Sequence, residues 1–255
     1  MKQRIITGLL IIAIIAPILV YGGIFLKGLI AVIGIFGVYE TLTMKVKKTN
    51  YLIYFISLLF ILTFILLDQK YHFSITTIYL MTLGTYGVIS DRYQIDELLV
   101  TFAMQFILVL SMLTVLNIYK ESNYLVLVYI IIANYASDTG AYFTGYFFGK
   151  HKLNERVSPK KTIEGSIGGL FIGGISSLIF GYYNIIEYLP LQYMIVISFI
   201  LPILGQIGDL YFSLIKRKYE IKDFGNIFPG HGGMLDRIDS LLFCLCIYNV
   251  VMVVI

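Results

Sequence analysis

Long runs of apolar residues, separated by short polar stretches, dominate the pattern of the chain. A bilayer core of about 30 Å is crossed by about 20 apolar residues in a helix. The runs predict nine such spans, at residues 5–21, 28–43, 51–67, 74–90, 99–119, 124–145, 167–183, 191–208 and 239–255. The pattern therefore predicts an all-α, polytopic integral membrane protein with about nine transmembrane helices and cytoplasmic polar loops.

The basic residues between these spans predict the orientation, because Lys and Arg collect in cytoplasmic loops. Nine spans place 16 of the 19 cations on the side of the N-terminus. These are Lys2, Arg4, Lys45, Lys47, Lys48, Arg92, Lys150, Lys152, Arg156, Lys160, Lys161, Lys216, Arg217, Lys218, Lys222 and Arg237, against Lys27, Lys70 and Lys120 on the other side. We expect the N-terminus and the long charged loops on the cytoplasmic face of the membrane.

Composition narrows the class further. Hydrophobic residues make up 58% of the chain and charged residues 13%, whereas soluble domains carry about 25% charged residues. A soluble enzyme, a disordered tail and a collagen-like rod are excluded. The net charge of +4 does not indicate nucleic acid, because the cations are sparse and lie between apolar spans.

Charge is also unevenly divided along the chain. In the first half, Glu40 is almost the only ionisable residue inside a predicted span. We therefore predict that residues 1–130 are transmembrane scaffold and that residues 131–255 carry the catalytic site.

The inner segment 208–240 has the densest polar chemistry. A helical period from 209 to 222 places five polar residues on one face, namely Asp209, Ser213, Lys216, Arg217 and Glu220. An irregular glycine-rich loop, residues 225–233, follows. Helix resumes near Met234, so its positive N-terminal end points into the glycine-rich loop. Backbone N–H groups of such a loop suit a phosphate, which makes Gly232 and Gly233 candidate phosphate-binding residues.

Three aspartates in this segment are candidate metal ligands. Asp236 and Asp239 are three residues apart on one helix, and Asp209 precedes the loop. Carboxylates gathered at membrane depth repel each other unless a cation lies between them, and all-oxygen ligation suits one or two Mg²⁺ ions. A salt-bridge network at the span ends is the alternative interpretation.

Cations and a histidine of the segment would then address substrate phosphates. The candidates are Lys216, Arg217, Lys222 and Arg237, with Ser213 on the same stripe as Asp209, and His231 as a phosphate-positioning residue.

A second inner segment, 134–165, adds polar residues. Asn134 and Asp138 share one helix face inside the sixth span, where either a functional site or a buried hydrogen-bonded pair fits. Lys160 and Lys161 are candidate ligands of a triphosphate or lipid phosphate, although anionic headgroups would also attract them. Thr162 or its neighbour is expected to cap the following helix.

Small residues recur every fourth position at Gly165, Gly169, Gly173 and Ser177. Such a stripe lets another helix approach closely. Packing within one chain is favoured over the seam of a homodimer, although both fit.

The motifs of the C-terminal half resemble a known family signature. The specified positions are Ser213, Leu214, Ile215, Lys216, Arg217, Lys222, Asp223, Phe224, Gly225, Pro229, His231, Gly232, Gly233, Asp236, Arg237 and Asp239, preceded by the stretches 138–142 and 158–165. This pattern is similar to that of the phosphatidate cytidylyltransferases, also called CDP-diglyceride synthases. Before about residue 134 the similarity is limited to the expected hydrophobic spans.

The resemblance implies a Mg²⁺-dependent reaction of CTP with phosphatidic acid that yields CDP-diacylglycerol and pyrophosphate. Asp209, Asp236 and Asp239, with Lys216 and Arg237, would form the catalytic group. A CTP-dependent polyprenol or dolichol-type lipid kinase is an alternative that would transfer the γ-phosphoryl group. An ion-coupled transporter is a third and weaker alternative, because no inverted repeat is visible and a transporter has no need for the glycine-rich loop.

Overall fold

Nine α-helices make up most of the computed structural model, which describes residues 2–44, 50–228 and 232–254. They are α1 (Lys2–Tyr21), α2 (Gly23–Thr43), α3 (Tyr51–Leu66), α4 (His72–Ile89), α5 (Ile95–Glu121), α6 (Tyr124–Phe148), α7 (Ile163–Asn184), α8 (Leu191–Lys218) and α9 (Leu235–Val254). Each coincides with one predicted span. By length and hydropathy, α2, α5, α6, α7 and α8 could cross a membrane, so a helical membrane protein is confirmed and the number nine stays a prediction.

Two differences from the expected pattern lie near the polar segments. The connection between α6 and α7 holds an antiparallel ribbon of β1 (Lys152–Asn154) and β2 (Ser158–Thr162), which an all-α prediction omitted. Helix α8 runs on through the amphipathic stretch but ends at Lys218, and Glu220 has a positive φ of 55°. Glu220 therefore does not continue the predicted helical stripe.

The chain divides into two compact units, Met1–Leu113 with Tyr219–Arg237, and Thr114–Lys218 with Ile238–Ile255. These units follow contacts within the fold. The predicted division by function, with scaffold in residues 1–130 and the catalytic site in residues 131–255, stays a prediction.

Buried polar side chains tie the helices of the first unit together. The Tyr79 hydroxyl donates to Gln105, and it also shares a hydrogen bond of 2.8 Å with Ser57. Gln105 Nε2 in turn donates to Thr41 Oγ1 over 2.9 Å. Four helices, α2 to α5, contribute one side chain each. In an apolar surrounding such satisfied polar groups fix helix register, because an alternative register would leave them unpaired.

Helices α6 and α7 of the second unit meet at backbone distance. A Cβ at Gly169 would lie 2.7 Å from the Ser137 carbonyl oxygen, and one at Gly173 would lie 2.6 Å from that of Ala133. The small-residue stripe therefore packs within one chain, as favoured, and carries no argument for a homodimer.

We expect Gly173→Val to lower the melting temperature of the detergent-solubilised protein. The added side chain has no room against the α6 backbone, and overpacking of this kind costs about 1–3 kcal/mol. Circular dichroism would measure the transition, with Gly84→Ala as the control, because a Cβ at Gly84 meets nothing within 4 Å. An unchanged transition in Gly173→Val would contradict the tight α6–α7 contact.

Candidate active site

An ion pair between Lys161 and Asp209 forms the centre of the polar side chains in the second unit. Lys161 is in β2, and Asp209 is on α8 nine residues before its end. Both side chains are a little over a quarter exposed, so the pair is reachable from outside. Ser213, one turn along α8, donates to Asp209 Oδ1 over 3.4 Å. The predicted sharing of a helix face by Asp209 and Ser213 is confirmed.

A second ion pair joins α8 to α9. Lys216 Nζ lies 3.7 Å from Asp239 Oδ2, and each side chain is only 12% exposed. Asp239 Oδ1 also accepts the Ser240 backbone N–H over 2.8 Å. Both predicted residues therefore lie together, in a less exposed place than the Lys161–Asp209 pair.

Asp138 extends the cluster along α6. It interacts electrostatically with Asp209 and with Lys161. Two aspartates and one lysine therefore share this part of the second unit.

Asn134 has a mainly structural place. It is 1% exposed; its Nδ2 donates to Ser240 Oγ over 2.9 Å, and its Oδ1 accepts from Cys244 Sγ at 3.4 Å. Both ends of the amide are thus used within the protein. The buried hydrogen-bonded interpretation of Asn134 fits these contacts, and its predicted role in binding substrate has no support from them.

A neighbouring amide was not singled out from the sequence. Gln206, one turn before Asp209 on α8, accepts from Ser166, and its Nε2 donates to Ser137 Oγ over 3.2 Å. A polar side chain inside a span is the signal that could have identified it.

The β1–β2 ribbon and the end of α8 carry further predicted residues. Thr162 caps α7 by accepting the Gly165 N–H over 3.1 Å, as expected. Lys160 is exposed, and Arg217 at the end of α8 is exposed while its Nε donates to the Val157 carbonyl over 3.4 Å. Lys160 and Arg217 thus present charge at the surface of the second unit.

Asp236, on the first turn of α9, holds backbone in the first unit. Its Oδ2 accepts the N–H groups of Phe224 over 2.7 Å and of Gly233 over 2.9 Å. Gly233 of the glycine-rich loop and Phe224, just before it, therefore donate their N–H groups to a protein carboxylate, which was not expected for a phosphate cradle. Gly232 has φ 87°, a conformation that favours glycine.

Glu40, in the predicted scaffold, contacts the start of α9. Its carboxylate is fully buried and accepts the backbone N–H groups of Met234 and Leu235 at the start of α9, each over 2.8 Å. A lone carboxylate inside a span is by default a functional candidate, which was the available signal.

Three predicted phosphate-binding residues remain. Lys222 and Arg237 are exposed in the first unit, and His231 lies outside the described residues. Within 2–44, 50–228 and 232–254, no group of three His, Cys, Asp or Glu side chains is arranged to hold a metal ion. Asp209, Asp236 and Asp239 as metal ligands therefore stay a prediction.

Comparison with known proteins covers the whole chain. Residues 2–255 match the model of the Cytidylyltransferase family. A phosphatidate cytidylyltransferase of Bacillus subtilis (strain 168) is 33% identical, with 96% of this chain and 95% of the relative aligned. One from Staphylococcus saprophyticus is 32% identical over 99% of both chains, and one from Staphylococcus haemolyticus is 42% identical over 50% of this chain and 48% of its own. The chain belongs to the Cytidylyltransferase family.

Proposed function

We propose that this chain is a phosphatidate cytidylyltransferase, which converts CTP and phosphatidic acid to CDP-diacylglycerol and pyrophosphate. The carrying observation is its similarity to two proteins of that name over nearly the full length of each. The paired lysines and aspartates of the second unit supply the charges that a reaction between two phosphates requires.

The reaction exchanges one phosphorus–oxygen bond for another. An oxygen of the lipid phosphate attacks the α-phosphorus of CTP, and the bond from that phosphorus to the oxygen bridging to the β-phosphorus breaks. The electron pair leaves with pyrophosphate. Because both reactants are anions, the protein must reduce their repulsion and stabilise the charge that moves to the leaving group.

Lysines of the second unit are placed to do this. Lys161 is paired with Asp209 and remains partly exposed, so a phosphate can replace or join that carboxylate as its partner. Lys216 is held by Asp239 in a nearly enclosed place, where a charge interaction is stronger than in water. Lys160 and Arg217, both exposed, meet incoming phosphate first. Lys222, Arg237 and His231 are further proposed phosphate ligands.

Magnesium fits the chemistry of the available donors. Asp209, Asp236 and Asp239 are the proposed ligands of one or two ions, and they offer carboxylate oxygens, which a hard divalent cation prefers. Mg²⁺, when bound, supplies positive charge to the phosphate oxygens. The aspartates themselves hold lysines and backbone N–H groups in place, as the contacts of Asp209 and Asp236 illustrate.

The proposed location is the bacterial inner membrane, with the site facing the cytoplasm. The uneven distribution of the 19 cations supports this orientation. CTP is a soluble nucleotide, so a cytoplasmic opening would give it access, while the lipid substrate arrives from the bilayer.

The reaction is tested with purified protein in detergent, phosphatidic acid, Mg²⁺ and CTP labelled at either the α- or the γ-phosphorus. We expect α-label in the lipid and γ-label in pyrophosphate. Lipid that carries γ-label would indicate a lipid kinase instead, and absence of lipid labelling by folded protein would contradict the proposal. In sealed vesicles, only those with the cytoplasmic face outward should use external CTP.

A further inference from the structure

Glu40 makes a two-pronged contact with the start of α9. Its Oε1 accepts the Met234 N–H and its Oε2 accepts the Leu235 N–H, each over 2.8 Å. The first N–H groups of a helix have no partner within the helix and carry partial positive charge. A carboxylate from α2, nearly two hundred residues earlier in the chain, satisfies two of them. The Glu40 side chain is fully buried, so its contribution to the fold is this contact with the start of α9.

Asp236 completes the arrangement from within α9. Its Oδ2 takes the N–H groups of Phe224 and Gly233. Two carboxylates, which repel each other, thus hold four backbone N–H groups on the described residues that flank positions 229–231. One shared set of hydrogen bonds therefore fixes the orientation of Asp236, the first turn of α9 and the backbone at Phe224 and Gly233.

Two glycines of the loop are required by Glu40. A Cβ at Gly225 would lie 2.5 Å from Glu40 Oε1, and its three nearest neighbours are all atoms of Glu40. A Cβ at Gly233 would lie 2.3 Å from the same oxygen. These glycines therefore make room for a protein carboxylate, where the sequence alone indicated room for a phosphate.

The helix that carries Glu40 is itself anchored. Its neighbour Thr41 is 2% exposed and accepts from Gln105, which is fully buried. Helix α2 is thereby held to α5 next to the carboxylate. A rigid support is what a side chain needs in order to set the geometry of a loop.

We infer that Glu40 is a positioning residue for cytidylyl transfer, which fixes Asp236 and the glycine-rich loop through the N-terminus of α9. The inference rests on the proposed function. Glu40 has no exposed surface and so meets no substrate; it acts through the backbone that it binds.

Glu40→Gln is the single substitution that tests this contact most directly. The amide keeps the size of the side chain, but one of its two prongs becomes an NH₂ group that cannot accept an N–H. We expect kcat to fall about tenfold to 10²-fold, because loss of the contact displaces Asp236 and a misplacement of about 1 Å at a reaction site can cost about 10²-fold in rate. KM for phosphatidic acid should change less than kcat, because Glu40 has no exposed surface with which to contact the lipid.

A second measurement reads the geometry without using activity. Hydrogen exchange followed by mass spectrometry should show faster exchange at the amides of Met234 and Leu235 in Glu40→Gln. Exchange in α7, which lies in the second unit, serves as the internal reference. Asp68→Asn is the matched control for loss of a carboxylate, because its side chain is 79% exposed.

Coupling between Glu40 and Gly225 separates positioning from a general loss of stability. Gly225→Ala alone should reduce kcat, because the methyl group collides with the carboxylate. In a Glu40→Ala background the collision is gone, so Gly225→Ala should cost no more than about twofold, within the usual limit of additive behaviour. Gly84→Ala is the control glycine.

The outcomes are separable. If wild type does not label lipid, the proposed function fails, and the exchange measurement still decides the contact. If wild type is active and folded Glu40→Gln matches it in kcat and in amide exchange, the inference is overturned. It is also overturned if activity falls only in proportion to the amount of folded protein, or if Gly225→Ala costs the same in both backgrounds.

Discussion

Asp209→Asn should reduce the transfer of label from α-labelled CTP to lipid by about 10²–10³-fold, the usual cost of removing one electrostatic group from a reaction site. The carboxylate faces Lys161 and accepts from Ser213, and it interacts with Asp138. An asparagine keeps the shape and an acceptor oxygen but removes the charge. A proposed metal ligand is lost, and Lys161 loses its ionic partner.

The control for this variant again is Asp68→Asn, which removes an exposed aspartate at the same cost in net charge. Initial rates in detergent are compared at saturating CTP and at several Mg²⁺ concentrations. Retention of more than about a tenth of wild-type kcat by folded Asp209→Asn would exceed what this kind of group allows and would remove Asp209 from the reaction.

Asp236→Asn should abolish nearly all lipid labelling while leaving the fold in place. The asparagine oxygen can still accept the N–H groups of Phe224 and Gly233, so the loop keeps its hydrogen bonds, whereas the negative charge proposed to hold Mg²⁺ disappears. The variant therefore separates two roles that the aspartate combines.

Asp236→Ala is the companion variant. It removes the charge and leaves two buried backbone N–H groups without this acceptor, which costs about 1–3 kcal/mol for each unsatisfied group. We expect both substitutions to be inactive and only the alanine to lower the melting temperature by several degrees. Near-normal labelling by Asp236→Asn would withdraw the metal-ligand assignment, and equal melting temperatures would contradict the loop contact.

The helices were predictable because a span in lipid is encoded locally. Every predicted span coincides with a helix, and the start of α9 at Leu235 is one residue from the expected Met234. The Asp209–Ser213 face was predictable for the same reason, since i and i+4 positions on a helix meet whatever surrounds them. The similarity of the motifs to one family was also local information, and the comparisons confirmed it.

Pairings between distant segments were not predictable in this way. The contact of Glu40 with Leu235 joins positions 195 residues apart, and nothing in the local pattern around Glu40 names its partner. The β1–β2 ribbon was missed because two strands of three and five residues, one containing Pro159, lack the alternation that identifies longer strands. The hydrogen bonds from backbone N–H groups near the glycine-rich loop to Glu40 and Asp236 were missed for a different reason. A glycine in the sequence indicates that another group approaches the backbone closely, but it does not indicate which group.

The backbone contact between α6 and α7 limits how a lipid can approach. Where the Gly169 and Gly173 positions touch carbonyl oxygens of the facing helix, the gap is too narrow for a methyl group, so it is too narrow for an acyl chain. A two-tailed substrate cannot slide sideways between these two helices. The tails of the proposed lipid substrate must therefore stay on the outer surface of the pair or pass along a different helix, and only its phosphate head needs to reach Lys161, a proposed phosphate ligand.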